Sequence, residues 1–166
     1  MTAVIQELAA VWRPNGVTVV SYEDDGKVDG QMRVALILTQ SPPPSADRGT
    51  LGWIGFLQTG PPVPVSFVSL PATRAVIETA SFRGFSVLEL PPRLRERLFA
   101  RALGRAAAHE LGHYLLSTRL HSARGLMQSR FSAQQWVDDD DSAFRLRRAD
   151  LAGLAARLRS ARASLP

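Results

Sequence analysis

The chain has 166 residues and a mass of 18.1 kDa, with no cysteine, three histidines and a formal charge of +5 from 20 basic and 15 acidic residues. That length fits one domain able to bury its own core, and the lack of cysteine excludes a disulfide framework, a thiolate metal site and a cysteine nucleophile. Hydrophobic residues at 45% and charged residues at 21% lie in the ordinary globular range, which excludes wholesale disorder.

The charge is unevenly spread. Residues 1–92 hold 6 basic and 8 acidic groups, and residues 93–166 hold 14 and 7. A basic second half is one footprint of a nucleic-acid binder. Charge runs are more often solvated helix faces, and no aromatic residues interleave with these arginines as a single-strand binder would require. Solvated arginine faces are therefore expected, with no nucleic-acid partner. No apolar run reaches the roughly 18 residues of a membrane span. Residues 1–12 lack the basic and apolar regions of a signal peptide, so a cytoplasmic location is expected unless a leader has been removed.

Val4, Ile5, Leu8, Val11 and Trp12 recur at three- and four-residue spacing, which predicts an amphipathic helix, ended by the turn residues Arg13-Pro14-Asn15-Gly16. Residues 17–22 are β-rich and residues 23–30 form a polar loop. Residues 33–39 (RVALILT) are continuously apolar, as expected of a central strand. Residues 41–49, with three consecutive prolines, form a loop. Residues 51–57 (LGWIGFL) and 63–70 (VPVSFVSL) read as two strands joined at Gly60-Pro61-Pro62. Their glycines and Pro64 point to edge positions, where a missing N–H is tolerated. From Pro91-Pro92 to about Ser117 helix formers dominate, and proline at the first turn is a start signal. Leu103, Ala107, Leu111 and Tyr114 form the expected core stripe of this long helix. Ser132 and Gln135 have capping-box spacing before Trp136. Residues 148–162 read as a final amphipathic helix through Leu151, Leu154 and Leu158. A sheet-rich first half followed by a helical second half is the pattern of an α+β fold.

All three histidines fall within residues 109–121. His109-Glu110-Leu111-Gly112-His113 is an HExxH motif inside the long helix. Four residues turn a helix so that the two imidazoles lie about 40° apart on one face and one turn apart. Both can then reach one Zn²⁺ at roughly 2.0–2.1 Å. Glu110 sits beside them, placed to take a proton from a water at the ion as that water attacks a carbonyl. A tetrahedral catalytic zinc takes three protein ligands and keeps one position open. His121 is available for the third, as are the carboxylates of Asp138 to Asp141 and Asp150. No glutamate follows Glu110, which disfavours a site completed by a downstream Glu.

Residues 109–127 (HELGHYLLSTRLHSARGLM) resemble the metzincin clan of zinc metallopeptidases, and most of all its matrixin-like members. The resemblance implies an α+β, zincin-like fold: a twisted mixed β-sheet with helices in the N-terminal part, a long active-site helix, and a helical C-terminal part. It implies one metallopeptidase domain, with a sheet-rich subdomain over about 1–117 and a smaller one over about 118–166. It makes His109, His113 and His121 the ligands of one catalytic Zn²⁺, Glu110 the general base and Met127 the Met-turn methionine. It also implies that the edge strand containing Gly52, Trp53, Ile54 and Gly55 pairs with an extended peptide substrate. The spacing departs from the clan pattern HExxHxxGxxH: seven residues, not five, separate the second and third histidines. Leu116 stands where the clan's turn glycine would be, and no tyrosine follows Met127.

The implied activity is zinc-dependent hydrolysis of peptide bonds by a monomer acting on a peptide or protein. The rival readings are an HExxH regulatory protein of the repressor-cleaving type, completed by a downstream acidic ligand, and an arginine-rich nucleic-acid-binding module. Asp138 to Asp141 offer oxygens of the kind that take Ca²⁺, but such a run is more often a solvated loop. Phe131 and Trp136 are read as packing residues that could also wall a pocket.

Overall fold

The structure is a computed structural model in which residues 1–21, 32–41, 50–58 and 60–163 are described. Helix α1 (Thr2–Trp12) buries Val4, Leu8, Val11 and Trp12, the stripe its spacing predicts. It ends in a 3₁₀ turn over Arg13–Asn15, and Gly16 closes the turn at a φ of 73° that suits glycine. Residues 17–21 belong to no strand, which differs from the β-rich reading. Tyr22, the polar loop 23–30 and residues 42–49 of the proline loop lie outside the described residues.

Three strands form a small mixed sheet in the order β1 (Ala35–Thr39), β3 (Pro62–Ser69), β2 (Gly52–Phe56). Strand β3 is parallel to β1 and antiparallel to β2. Two expectations are corrected here. The apolar 33–39 segment is not central among the described strands, and the proline-containing β3 is. Ser66, Val68 and Ser69 of β3 are buried, whereas Ile37 of β1 is 41% exposed. Pro64 is tolerated in the central strand because it falls where the register with β2 shifts, between Ile54 and Phe56, and before pairing with β1 begins at Val65. Strand β2 has β3 as its one neighbour among the described residues, as an edge strand should.

The chain leaves β3 directly into helix α2 (Leu70–Ile77), whose first turn is capped by the Ser69 hydroxyl accepting from Ala72 N–H. A short hairpin, β4 (Ser81–Phe82) and β5 (Phe85–Ser86), precedes the long helix α3 (Pro92–Leu116). Pro92 occupies the first turn of α3, as its sequence signal predicts.

Helix α3 is buried along its whole middle. Every residue from Ala102 to Glu110 is buried, and so are Gly112, His113 and Leu115. Leu103 and Ala107 of the expected stripe are buried, but Leu111 and Tyr114 are only half-buried. A single stripe fails to describe α3 because α1, α2, β2, β3, α4 and α5 all pack on it. Small residues let them come close. A Cβ at Gly104 would lie 2.6 Å from Glu7 Cβ and 2.8 Å from the Val4 carbonyl oxygen, so α1 crosses α3 at this glycine. Trp12 Nε1 donates to the Ala108 carbonyl at 3.2 Å in the same interface.

Arg105 also departs from the solvated-face reading, with 2% of its surface exposed. Its guanidinium donates to Glu7 Oε1 at 2.9 Å and to the Gln135 carbonyl at 2.6 Å, and it stacks over the Phe144 ring. Helix α4 (Ala133–Val137) carries the expected capping box: Ser132 Oγ accepts from Gln135 N–H while Gln135 Oε1 accepts from Ser132 N–H. Helix α5 (Arg148–Ala163) buries Leu154, half-buries Leu158 and leaves Leu151 largely exposed. No helix among the described residues is long and apolar enough to cross a membrane.

Gly104→Ala should destabilise the protein by about 1–3 kcal/mol through overpacking, although alanine is intrinsically the better helix former by about 1 kcal/mol. Urea unfolding followed by circular dichroism checks the sign, which packing and propensity set oppositely.

Candidate metal centre

Three elements of the chain bring the histidines together. Helix α3 carries His109 and His113 one turn apart, the turn after it carries His121, and the loop ending at Gln128 closes beneath. The ligand-capable atoms of His109, His113 and His121 lie within 4.8 Å of one another, a spacing at which one metal ion can be held. The His109 and His121 rings are stacked with centroids 5.3 Å apart, and the His113 ring stands nearly perpendicular to both.

Helix α3 ends at Leu116 because Ser117 turns left-handed, with φ 49° and ψ 44°. A residue in this conformation caps the helix as glycine commonly does. The turn thus comes at Ser117, one place after Leu116, and needs no glycine. Thr118 N–H bonds back to the His113 carbonyl, and Leu120 N–H donates to Thr118 Oγ1. The two additional residues before His121 are absorbed in this turn. From there Ser122 N–H donates to the Met127 carbonyl at 2.7 Å, closing residues 122–127 into a compact loop. Leu126 N–H donates to the Arg145 carbonyl, which ties that loop to the C-terminal part.

Two main-chain carbonyls orient the helix imidazoles. His109 Nδ1 lies 2.7 Å from the Leu126 oxygen and His113 Nδ1 lies 2.8 Å from the Thr118 oxygen. A carbonyl can only accept, so both Nδ1 atoms carry the proton. Both Nε2 atoms then present lone pairs, yet they sit 3.1 Å apart. Two lone pairs that close repel each other, and a cation between them removes the repulsion. Nitrogens bound tetrahedrally at roughly 2.0–2.1 Å would be about 3.3 Å apart. The donor set therefore fits a metal ion, and imidazoles suit zinc among other metals. Sequence reasoning missed the two anchoring carbonyls, because a backbone oxygen has no signature in residue identity.

Electrostatics favour neutral imidazoles. Burial, reinforced by the charge of His113, pushes His109 down to about 3. Burial is also the first cause that lowers His113 and His121. Burial alone pushes the Glu110 carboxyl up to about 8. Glu110 lies against β2: a Cβ on Gly52 would stand 2.8 Å from Glu110 Cγ and 3.0 Å from its Oε1. Gly52 thus makes the room that Glu110 occupies.

Met127 is 1% exposed and its sulfur fills the space next to Gly112, where any Cβ would collide with it. It lies under the turn of α3 that separates the two ligand-capable histidines. A cleft of about 760 Å³ opens over the site. Gly52, Trp53 and Ile54 line it, together with the three histidines, Glu110 and Gln128. Gly55 does not; it faces Val63 at the register shift. Phe131 and Trp136 serve both expected roles, since they line the cleft and form an aromatic cluster with Phe144.

Four of the five acidic candidates bond side chains elsewhere, and the Asp138 carboxylate accepts from Asp140 N–H. Asp139 bonds Arg83 and Arg101, Asp140 bonds Ser142, Asp141 bonds Arg145 and Asp150 bonds Arg147. Among the described residues the metal-sized cluster consists of histidines only.

The protein should bind one equivalent of zinc, measured by elemental analysis after dialysis. His121→Ala should weaken binding in chelator competition by more than the roughly 10–100-fold that loss of an outer hydrogen-bond partner costs. Retention of full affinity by that variant would assign the third position to another group. No family model, no curated protein and no solved structure matches the chain.

Proposed function

We propose that the chain is a zinc-dependent endopeptidase of the metzincin type, with a zincin-like fold. The observation that carries this reading is the meeting, in one cleft beside an edge strand, of three convergent imidazoles and a carboxylate on the same helix. His109, His113 and His121 would hold the ion. Bound there, zinc would polarise the scissile carbonyl and bring a water's pKa down toward neutrality.

The chain's own groups do the rest. The edge of β2 (Gly52–Phe56) that has no strand neighbour among the described residues offers backbone N–H and C=O groups to an extended peptide, a general way to hold a main chain straight. Glu110 takes a proton from the attacking water as the new C–O bond forms. It then gives that proton to the departing amine as the C–N bond breaks. The Leu126 and Thr118 carbonyls keep the His109 and His113 rings from turning, which preserves the position of the reacting centre relative to Glu110. Met127 supports the helix from below in the manner of a Met-turn. Hydrolysis of a peptide bond needs nothing further from the protein.

The rival that completes a zinc site with an acidic residue is disfavoured by the arginine and serine partners of the Asp139, Asp140, Asp141 and Asp150 carboxylates and by the absence of any carboxylate from the histidine cluster among the described residues. Among the described arginines of residues 93–166 only Arg105 is buried, and the arginine-rich reading has no aromatic residues interleaved with the others to support it.

Glu110→Gln should retain zinc and lose about 10²–10⁴-fold in turnover of unstructured protein such as casein. Wild-type activity should vanish with chelator and return on adding zinc. Undiminished activity in Glu110→Gln contradicts the mechanism.

A further inference from the structure

We infer that this cleft selects peptides carrying an acidic side chain close to the scissile bond, and that Arg130, assisted by Arg119, makes the selection. The inference names the substrate class for the peptidase reading above and rests on it.

The charge lining the cleft is one-sided. Arg119 and Arg130 face it, and Glu110, committed to the proton transfer, is the one carboxylate there among the described residues. The two cations belong to the two segments that flank His121 and the Met127 loop. Arg119 is held in place: its guanidinium donates to the Leu57 carbonyl at 2.7 Å and stacks 4.7 Å over the Phe56 ring. It thereby joins the turn before His121 to the end of the edge strand. A guanidinium has five N–H donors, so this bond leaves others for a ligand. Arg130 is exposed and makes no hydrogen bond or ion pair among the described residues.

Several arginines of the same half differ from Arg130 in this respect. Arg101, Arg105, Arg145 and Arg147 each bind a carboxylate of the protein. Asp139, Asp141 and Asp150 are thus held by arginines away from the cleft. An exposed guanidinium beside a partly buried site is suited to a carboxylate, which it can bind with two parallel N–H···O bonds. Bonds of that kind are strong where water is partly excluded, and a cleft walled by Trp136, Phe131 and β2 excludes part of it.

The simplest competing explanation is general attraction of acidic peptides by a protein of charge +5. Arg97 is the control, an exposed arginine on α3 outside the cleft. Zinc-loaded wild-type, Arg130→Gln and Arg97→Gln proteins should be given a degenerate peptide library in which one position is fixed as Glu, Gln or Lys. Binding is read by calorimetry and cleavage by mass spectrometry, both at physiological salt. We expect Glu-fixed mixtures to bind about tenfold more tightly than Lys-fixed ones, the scale of a charge-assisted pair in a partly dry site. Cleavage sites should be enriched in neighbouring Asp or Glu. Arg130→Gln should remove most of this preference and keep its zinc, whereas Arg97→Gln should behave as wild type. No preference, or an equal loss in the two variants, overturns the inference. If nothing is cleaved the peptidase reading fails, and the binding preference still decides the role of Arg130.

Discussion

His109 donates its Nδ1 proton to the Leu126 carbonyl over 2.7 Å, and that bond ties the middle of a buried helix to a loop 17 residues further on. Its consequences run in both directions. Toward α3 it fixes the imidazole tautomer, so that Nε2 faces Nε2 of His113 with a free lone pair. Toward the loop it sets the height of Leu126 and Met127 beneath the helix, and with them the Ser122 bond that follows His121. Breaking it would release the ring and the loop that supports it.

The bond forms only because other segments approach α3 so closely. Gly104 admits α1, Gly112 admits Met127, and the alanines at 102, 106, 107 and 108 keep the helix narrow between them. Glycine and alanine make a poor amphipathic stripe and a good central helix. Glu110 gains its place by the same device, since Gly52 leaves space for it on the neighbouring strand. Burial then costs the Glu110 carboxylate its hydration, and no cation among the described residues offsets that cost. Burial of the imidazoles acts in the same sense, suppressing their charge and leaving them as ligands.

Local rules made much of this legible in the residues. The HExxH spacing placed two imidazoles and a carboxylate correctly, and the capping box at Ser132 and the Pro92 start appear where their chemistry requires. Non-local features were not legible. Strand order depends on which segments meet, and a continuous apolar run such as ALILT does not say whether both faces are covered. Ser117 shows a second limit: left-handed backbone favours glycine, but here serine takes it, with its own N–H bonded to the Tyr114 carbonyl and the Thr118 N–H bonded to that of His113. Arg105 shows a third, because a charged residue on a helix reads as solvated until its partners Glu7 and Gln135 are known. Spacing favoured His121 over the downstream aspartates without excluding them. The convergence of the three imidazoles, with Asp139, Asp140, Asp141 and Asp150 bonded to arginine or serine side chains, favours His121 further.

The central claim is that three imidazoles oriented by main-chain carbonyls form a metal centre. It is tested most directly by a crystal structure of the zinc-loaded protein, with anomalous data collected at the zinc edge. The account predicts a single anomalous peak bonded to Nε2 of His109, Nε2 of His113 and the His121 imidazole at roughly 2.0–2.1 Å. A peak coordinated by the Asp138–Asp141 carboxylates, or one at the two helix histidines that leaves His121 unbound, would contradict it.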